Sequence, residues 1–227
     1  MKKVIVLSLG GSLIIPNEID LSFLNKFKQV IKKHEKNYKF VIVCGGGSVA
    51  RKYITALRKS NKSDYLQSMA GISVTRMNAR FMSYFFGFDP EKGIPSDMKH
   101  VRNLLAKNNI VFCGALRYHD NETSDSNAAR LADYFETDFI NLTNVPGLYT
   151  SNPLTNKDAK FIPEITKQAL YERVMKMKFK PGQHFVIDQH AMKILVESKS
   201  NLFILGKDVK QLDNFLSGKS FKGTSVY

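Results

Sequence analysis

Two cysteines among 227 residues are too few for a disulfide framework. Cys44 and Cys113 each end an apolar, strand-like run, so they read as buried thiols of a reduced compartment. Long apolar runs are also missing, and no stretch approaches the ~20 residues that a membrane helix needs. The opening "MKKVIVLSLGGSL" pairs two lysines with an apolar segment, as a signal peptide does. That segment breaks at Gly10-Gly11, so a first strand is expected instead, in a cytoplasmic protein. Acid is scarce as well: 20 Asp and Glu face 34 Lys and Arg, a formal charge of +14. Such a balance favours polyanionic partners. The lysines are scattered, however, and "KKHEK" and "KMKFK" read as solvated helix faces. There is no arginine-rich tail, zinc-ligand spacing or RNA-binding aromatic signature, which favours a small phosphorylated ligand over nucleic acid.

With 43% hydrophobic and 24% charged residues, the chain has the composition of an ordinary globular protein, and its length suits one large domain. Apolar strand-like runs recur at 3–9, 39–44, 109–113, 138–142 and 202–205. Segments of helical periodicity separate them. Phe23, Leu24, Phe27, Val30 and Ile31 form one apolar face; Ala128, Ala129, Leu131, Ala132 and Phe135 form another. This alternation predicts an α/β fold with a mainly parallel sheet, whose ligands bind at the carboxyl ends of the strands. The polar, turn-rich stretch 143–164 is long for a simple connection and is a candidate functional loop.

The candidate chemistry lies just after the strands. In "VIVCGGGSVARKY", three glycines (Gly45, Gly46, Gly47) follow a buried strand, and Ser48 stands where a helix N-cap would. Consecutive glycines let a backbone approach something bulky with its N–H groups free, an anion site in outline. Arg51 lies one helical turn on, where it reads either as a phosphate fork or as a surface arginine. "LSLGGSLI" puts Gly10, Gly11 and Ser12 in the same context; a phosphate cradle and a plain turn both account for it. Neither stretch is a GxxxxGK[ST] loop or a GxGxxG fingerprint. In "ETSDSNAARLA", Thr123 and Ser124 open a helix with Asp125 in its first turn, a helix start that needs no ligand to explain it. It is also a third helix N-terminus aimed at the strand ends. In "INLTNVPGLYTSNP", Thr143 and Asn144 end a strand and Pro146-Gly147 turn the chain; Tyr149 is placed to stack on a flat ring or simply to pack. In "FVIDQHAMKIL", Asp188 reads as an N-cap and Lys193 as a helix residue, solvated by default.

Taken together, these motifs resemble the amino acid kinase family and, within it, the uridylate (UMP) kinases of the archaeal type. The likeness runs nearly end to end: GGS after the first strand, GGGxxARKY, "GISVTRMNA", TSD before "AARLA", TNVxGLYT, VIDxxAxK and "LDNFLSGKSFKGT". It implies a three-layer α/β/α sandwich of the carbamate kinase-like type as a single domain over 1–227. Residues 1–142 would be mainly the acceptor-nucleotide half and 143–227 mainly the ATP half. It implies transfer of the ATP γ-phosphate to UMP with Mg²⁺, no protein residue being assigned as a metal ligand. Gly11, Ser12, Gly47, Arg51, Thr143, Tyr149 and Asn152 would line ATP. Gly46, Ser68, Gly114, Thr123 and Ser124 would line UMP, with Arg51 and Lys193 as the catalytic cations.

Four positions depart from the family pattern. Ser8 stands where many members carry a catalytic lysine, and Pro146 where they have an acid. Ser68 replaces an Asp that holds the UMP ribose, and Asn152 an acid near the ATP ribose. Loss of the lysine leaves charge stabilisation to Arg51, Lys193 and Mg²⁺, with Arg117 and His119 as candidates at the acceptor phosphate. A nucleotide-binding regulator with weak or no catalysis, and a same-fold kinase with another acceptor, are the alternative readings. The two glycine turns are expected to border one pocket. The aromatic and methionine-rich "YLQSMAGISVTRMNARFMSYFFGF" carries more apolar surface than one buried helix face needs. Such residues are enriched at interface cores, which predicts a homo-oligomer built on dimers, a hexamer in this reading.

Overall fold

The structure is a computed structural model that describes residues 2–89, 93–118, 122–153, 155–176 and 186–227. The chain opens with β1 (Lys3–Leu9), the single turn α1 (Gly11–Ile14), α2 (Leu21–His34) and β2 (Tyr38–Cys44). Three helices follow, α3 (Gly47–Lys59), α4 (Asp64–Phe85) and α5 (Met98–Lys107), before β3 (Ile110–Cys113), α6 (Ser124–Tyr134) and β4 (Phe139–Leu142). Three two-residue strands, β5 (Leu148–Tyr149), β6 (Phe161–Ile162) and β7 (Glu164–Ile165), lead to α7 (Lys167–Met175). The chain closes with α8 (Gln189–Glu197), β8 (Leu202–Leu205), α9 (Val209–Leu216) and β9 (Gly223–Val226).

Seven strands form one sheet in the order β3-β2-β1-β4-β8-β9-β7. The first five run parallel, while β9 lies antiparallel to β8 and pairs in parallel with β7. The five apolar runs of the sequence are these five parallel strands. Each reads as a continuous apolar stretch because helices cover both faces of the sheet. On one face, Ile5, Leu7, Leu9, Phe40 and Ile42 meet Phe23, Phe27 and Ile31 of α2, Met82 of α4 and Leu212 of α9. On the other, Val6, Val41, Val43 and Phe139 meet Ala128 and Leu131 of α6, Leu170 of α7 and Met192 of α8. The result is the expected three-layer α/β/α sandwich. Phe27, buried to 0% exposure, shows what the arrangement gains. Covering such a side chain contributes about 1.5–3 kcal/mol.

The period-2 alternation also settles the cysteines. Val43 pairs with Cys113, so Cys44 points to the opposite side from Cys113, and each thiol joins a different core. Both are free and buried. Burial pushes Cys113 up to about 12 and Cys44 well above its ordinary range, so neither is a ready thiolate.

The stretch 143–164 is more structured than a loop, since β5 and β6 pair antiparallel within it. Among the described residues no helix is long and apolar enough to cross a membrane.

Candidate active site

The chain runs outward from β1 through β2 to β3 and then returns to place β4 on the other side of β1. This reversal opens a crevice at the carboxyl ends of β1 and β4, where doubly wound sheets bind ligands. A rung of parallel hydrogen bonds continues past the strands. Gly45 N donates to Leu9 O (2.9 Å), Gly10 N to Leu142 O (3.0 Å) and Thr143 N to Leu205 O (2.9 Å). The first residue of each turn is thereby tied down. The next amides, those of Gly11 and Ser12 after β1 and of Gly46 and Gly47 after β2, have no hydrogen-bond partner among the described residues.

The two glycine turns pack directly on one another. A Cβ at Gly11 would lie 2.0 Å from Gly47 N and 2.6 Å from Gly45 C, so nothing larger than glycine fits. Gly47 has φ +65°, the left-handed region that favours glycine. Ile15 O then accepts from Ser48 N (3.1 Å), fastening the start of α3 to the end of α1. The sequence placed an N-cap at Ser48, and this is corrected: Gly46 is the N-cap, with no side-chain cap, and Ser48 is the second helical residue. The left-handed turn at Gly47 starts the helix earlier than the hydroxyl could cap it. The Ser48 hydroxyl is buried without a partner among the described residues. A helix start without a side-chain cap keeps its N–H groups and the positive end of its dipole available to an anion.

Arg51 sits in the second turn of α3, half-buried, and burial lowers its pKa from the ordinary value. No hydrogen bond or ion pair engages it among the described residues. An arginine remains charged at any ordinary pH, so the helix that follows the second glycine turn carries a cation with no charge partner among the described residues.

Ser8 is fully buried on the α6 side of the sheet, and its hydroxyl donates to Asp125 Oδ1 at 2.6 Å. Ser8 pairs in register with Asn141 of β4, which also hydrogen-bonds Asp125, so three polar side chains meet at the strand reversal. Burial, reinforced by the charge of Asp188, pushes Asp125 up to about 7; the bonds from Ser8 and Asn141 oppose the shift. Asp188 caps α8 by accepting from Ala191 N (2.8 Å). It also accepts from Thr123 Oγ1 (2.5 Å) and Ser126 Oγ (2.8 Å), binding the N-termini of α6 and α8 together.

The other expected site residues are distributed around this centre. Thr123 is the N-cap of α6 and Ser124 its first residue, as read from sequence. A Cβ on Gly114, which follows β3, would lie 2.5 Å from Arg76 N of α4. Ser68 lies in the second turn of α4, half-buried. Thr143 follows β4, and Tyr149 packs edge-on against Phe161 at 5.4 Å in the β5–β6 ribbon. Asn152 is exposed beyond that ribbon, and Lys193 is exposed on α8. Arg117 is exposed, while His119 lies outside the described residues. Sequence reasoning singled out "GISVTRMNA" without giving its residues a task. In the fold, Thr75, Arg76 and Asn78 fasten α4 to the turns after β2 and β3.

A doubly wound sheet with two glycine turns packed together at its switch point defines an α/β protein of the kind that binds ligands at its strand ends. The chain belongs to the amino acid kinase family, whose sequence profile it matches over residues 3–206. It is 32% identical over 224 residues to a uridylate kinase of Thermococcus kodakarensis, covering 98% of both chains. It is likewise 32% identical to a uridylate kinase of Thermoplasma volcanium, covering 100% of this chain and 98% of that one. The crystal structure of uridylate kinase from Archaeoglobus fulgidus superposes with a TM-score of 0.82 at 29% identity, each chain covered in full.

Proposed function

We infer that this protein is an ATP-dependent UMP kinase. A phosphate oxygen of UMP attacks the γ-phosphorus of ATP, the bond from that phosphorus to the β-bridging oxygen breaks, and UDP and ADP leave. The observation that carries this reading is the packing of the GGS and GGG turns against one another, leaving the amides of Gly11, Ser12, Gly46 and Gly47 unpartnered. It stands in a chain about 30% identical, end to end, to archaeal uridylate kinases.

Phosphoryl transfer asks little covalent chemistry of a protein; positioning and charge stabilisation do most of the work. Gly11, Ser12 and Gly47 are assigned to the donor phosphates, with Thr143, Tyr149 and Asn152 along the rest of ATP. Gly46, Ser68, Gly114, Thr123 and Ser124 are assigned to UMP. Arg51, which has no charge partner among the described residues, neutralises the transferring group, and Lys193 of α8 adds a second cation. Mg²⁺, a cation that keeps its waters and leans on substrate oxygens, would come with ATP and would supply positive charge at the phosphates. The residues fit an ion carried by the nucleotide: the amides of Gly11, Ser12, Gly46 and Gly47, without partners among the described residues, would hold the phosphates that carry it.

The single domain divides in function near residue 142, with mainly acceptor contacts before it and mainly ATP contacts after it, the donor-phosphate turns at Gly11, Ser12 and Gly47 excepted. The enzyme works in the cytoplasm, in pyrimidine nucleotide synthesis, as a homo-oligomer of dimers that reaches a hexamer. Support for association comes from α4, where Met77 and Tyr84, seven residues apart on one face, are each 54% exposed. Incubation with ATP, Mg²⁺ and a panel of acceptors (UMP, CMP, acetylglutamate, isopentenyl phosphate) tests the activity. UDP is the expected product, and phosphorylation of another acceptor in preference to UMP would overturn the assignment.

A further inference from the structure

The helix α4 reaches the turns after β2 and β3 through four polar contacts from three residues of one segment, Thr75, Arg76 and Asn78. Thr75 Oγ1 accepts from Ala115 N at 2.9 Å. Arg76 Nε donates to Ala115 O at 3.0 Å, and its Nη2 donates to Leu116 O. Asn78 Nδ2, in a buried side chain, donates to Gly45 O at 2.7 Å. No carboxylate pairs with Arg76 among the described residues, so its fork is spent on backbone carbonyls.

These contacts set directions as well as distances. A peptide unit is planar and trans, so its N–H points opposite to its C=O. Drawing Gly45 O toward α4 therefore turns the Gly46 N–H, which has no partner among the described residues, away from α4. In the same way, Arg76 turns the Leu116 N–H toward α6, where it donates to Asn127 Oδ1 at 2.9 Å, and turns the Arg117 N–H away from α4. One guanidinium and one carboxamide thus fix the amide directions of the turns after β2 and β3. The turn after β1 receives none of these contacts.

We propose that Arg76 and Asn78 are positioning residues for the acceptor nucleotide: they set the amide directions of Gly46 and of the turn after Gly114, and so govern UMP affinity separately from ATP affinity. This rests on the UMP kinase reading for the identity of the acceptor. The fork matters as much as the charge. A lysine at 76 would hold one carbonyl where arginine holds two.

The test is binding, measured apart from turnover. Dissociation constants for UMP and for a non-hydrolysable ATP analogue are taken by calorimetry for wild type, Arg76→Met, Arg76→Lys and Asn78→Ser, alongside steady-state KM values. Arg76→Met is expected to weaken UMP about 10-fold or more with the ATP analogue changed less than 2-fold, and Arg76→Lys to recover part of the loss. Should Arg76→Met fail to fold, the lysine and Asn78→Ser variants carry the same contrast. Equal loss of both nucleotides, or no loss of UMP affinity in folded variants, overturns the proposal. A wild type that binds UMP but forms no UDP overturns the activity instead, and the affinity contrast still decides the roles of Arg76 and Asn78.

Discussion

Ser8 and Asp125 are joined by a 2.6 Å hydrogen bond across the β1–α6 boundary, at the point where the strand order reverses. Ser8 is the position at which the family pattern has a catalytic lysine. Here a serine hydroxyl donates to a carboxylate at that position instead. Burial and the charge of Asp188 hold Asp125 near 7.

This pair gives a pH signature. The folded pKa of Asp125, about 7, lies above the ordinary aspartate value of 3.8. Between those values the folded protein binds a proton that the unfolded chain has released, so stability falls as pH rises from about 4 to about 7 and then levels off. Asp125→Asn should flatten that slope, because the amide is neutral throughout. Melting temperatures of wild type and variant between pH 5 and 8 check this, since other titrating groups cancel in the difference. Parallel curves would contradict it.

Arg51 lies in the second turn of α3, the helix that starts at the second glycine turn. Its replacement by alanine should lower kcat roughly 10²-fold or more if it stabilises the transition state. Steady-state kinetics distinguish this from a positional role, in which KM for UMP rises and kcat holds.

Gly11 has no room for a side chain. In Gly11→Ala the new Cβ would fall 2.0 Å from Gly47 N, forcing the two turns apart. Overpacking of this kind costs about 1–3 kcal/mol. Because the amides that move belong to the site, activity should fall further than stability. A folded Gly11→Ala variant with wild-type turnover would count against the shared cleft.

Met77 and Tyr84 expose a strip of apolar surface along α4. Light scattering at micromolar concentration should give a multiple of the dimer mass, reduced by Met77→Lys with Tyr84→Lys. A monomeric wild type would contradict the assembly.

Much of this molecule could be read from its residues. The five parallel strands announce themselves because strands buried on both faces are apolar throughout. The glycine turns and the Thr123 and Asp188 caps are local chemistry and read directly. What escaped depends on contacts between distant segments. Asp125 and Asp188 look like separate helix-start acids until α6 and α8 lie side by side and the hydroxyls of Thr123 and Ser126, on α6's N-terminus, both donate to Asp188. Thr75, Arg76 and Asn78 bond backbone atoms of other segments, and a backbone carbonyl leaves no mark in a sequence. Strands β5, β6 and β7 are two residues each, too short to carry a period. Ser48 misled because Gly46 and Gly47 start the helix before it.

The most direct measurement is product formation by the wild-type protein with ATP, Mg²⁺ and UMP, followed by separation of the nucleotides. If the two glycine turns and Arg51 supply positioning and charge in place of a lysine at position 8, UDP and ADP should accumulate in equal amounts, and Arg51→Ala should suppress both. A protein that binds ATP and UMP yet yields no UDP with Mg²⁺ present would contradict the account.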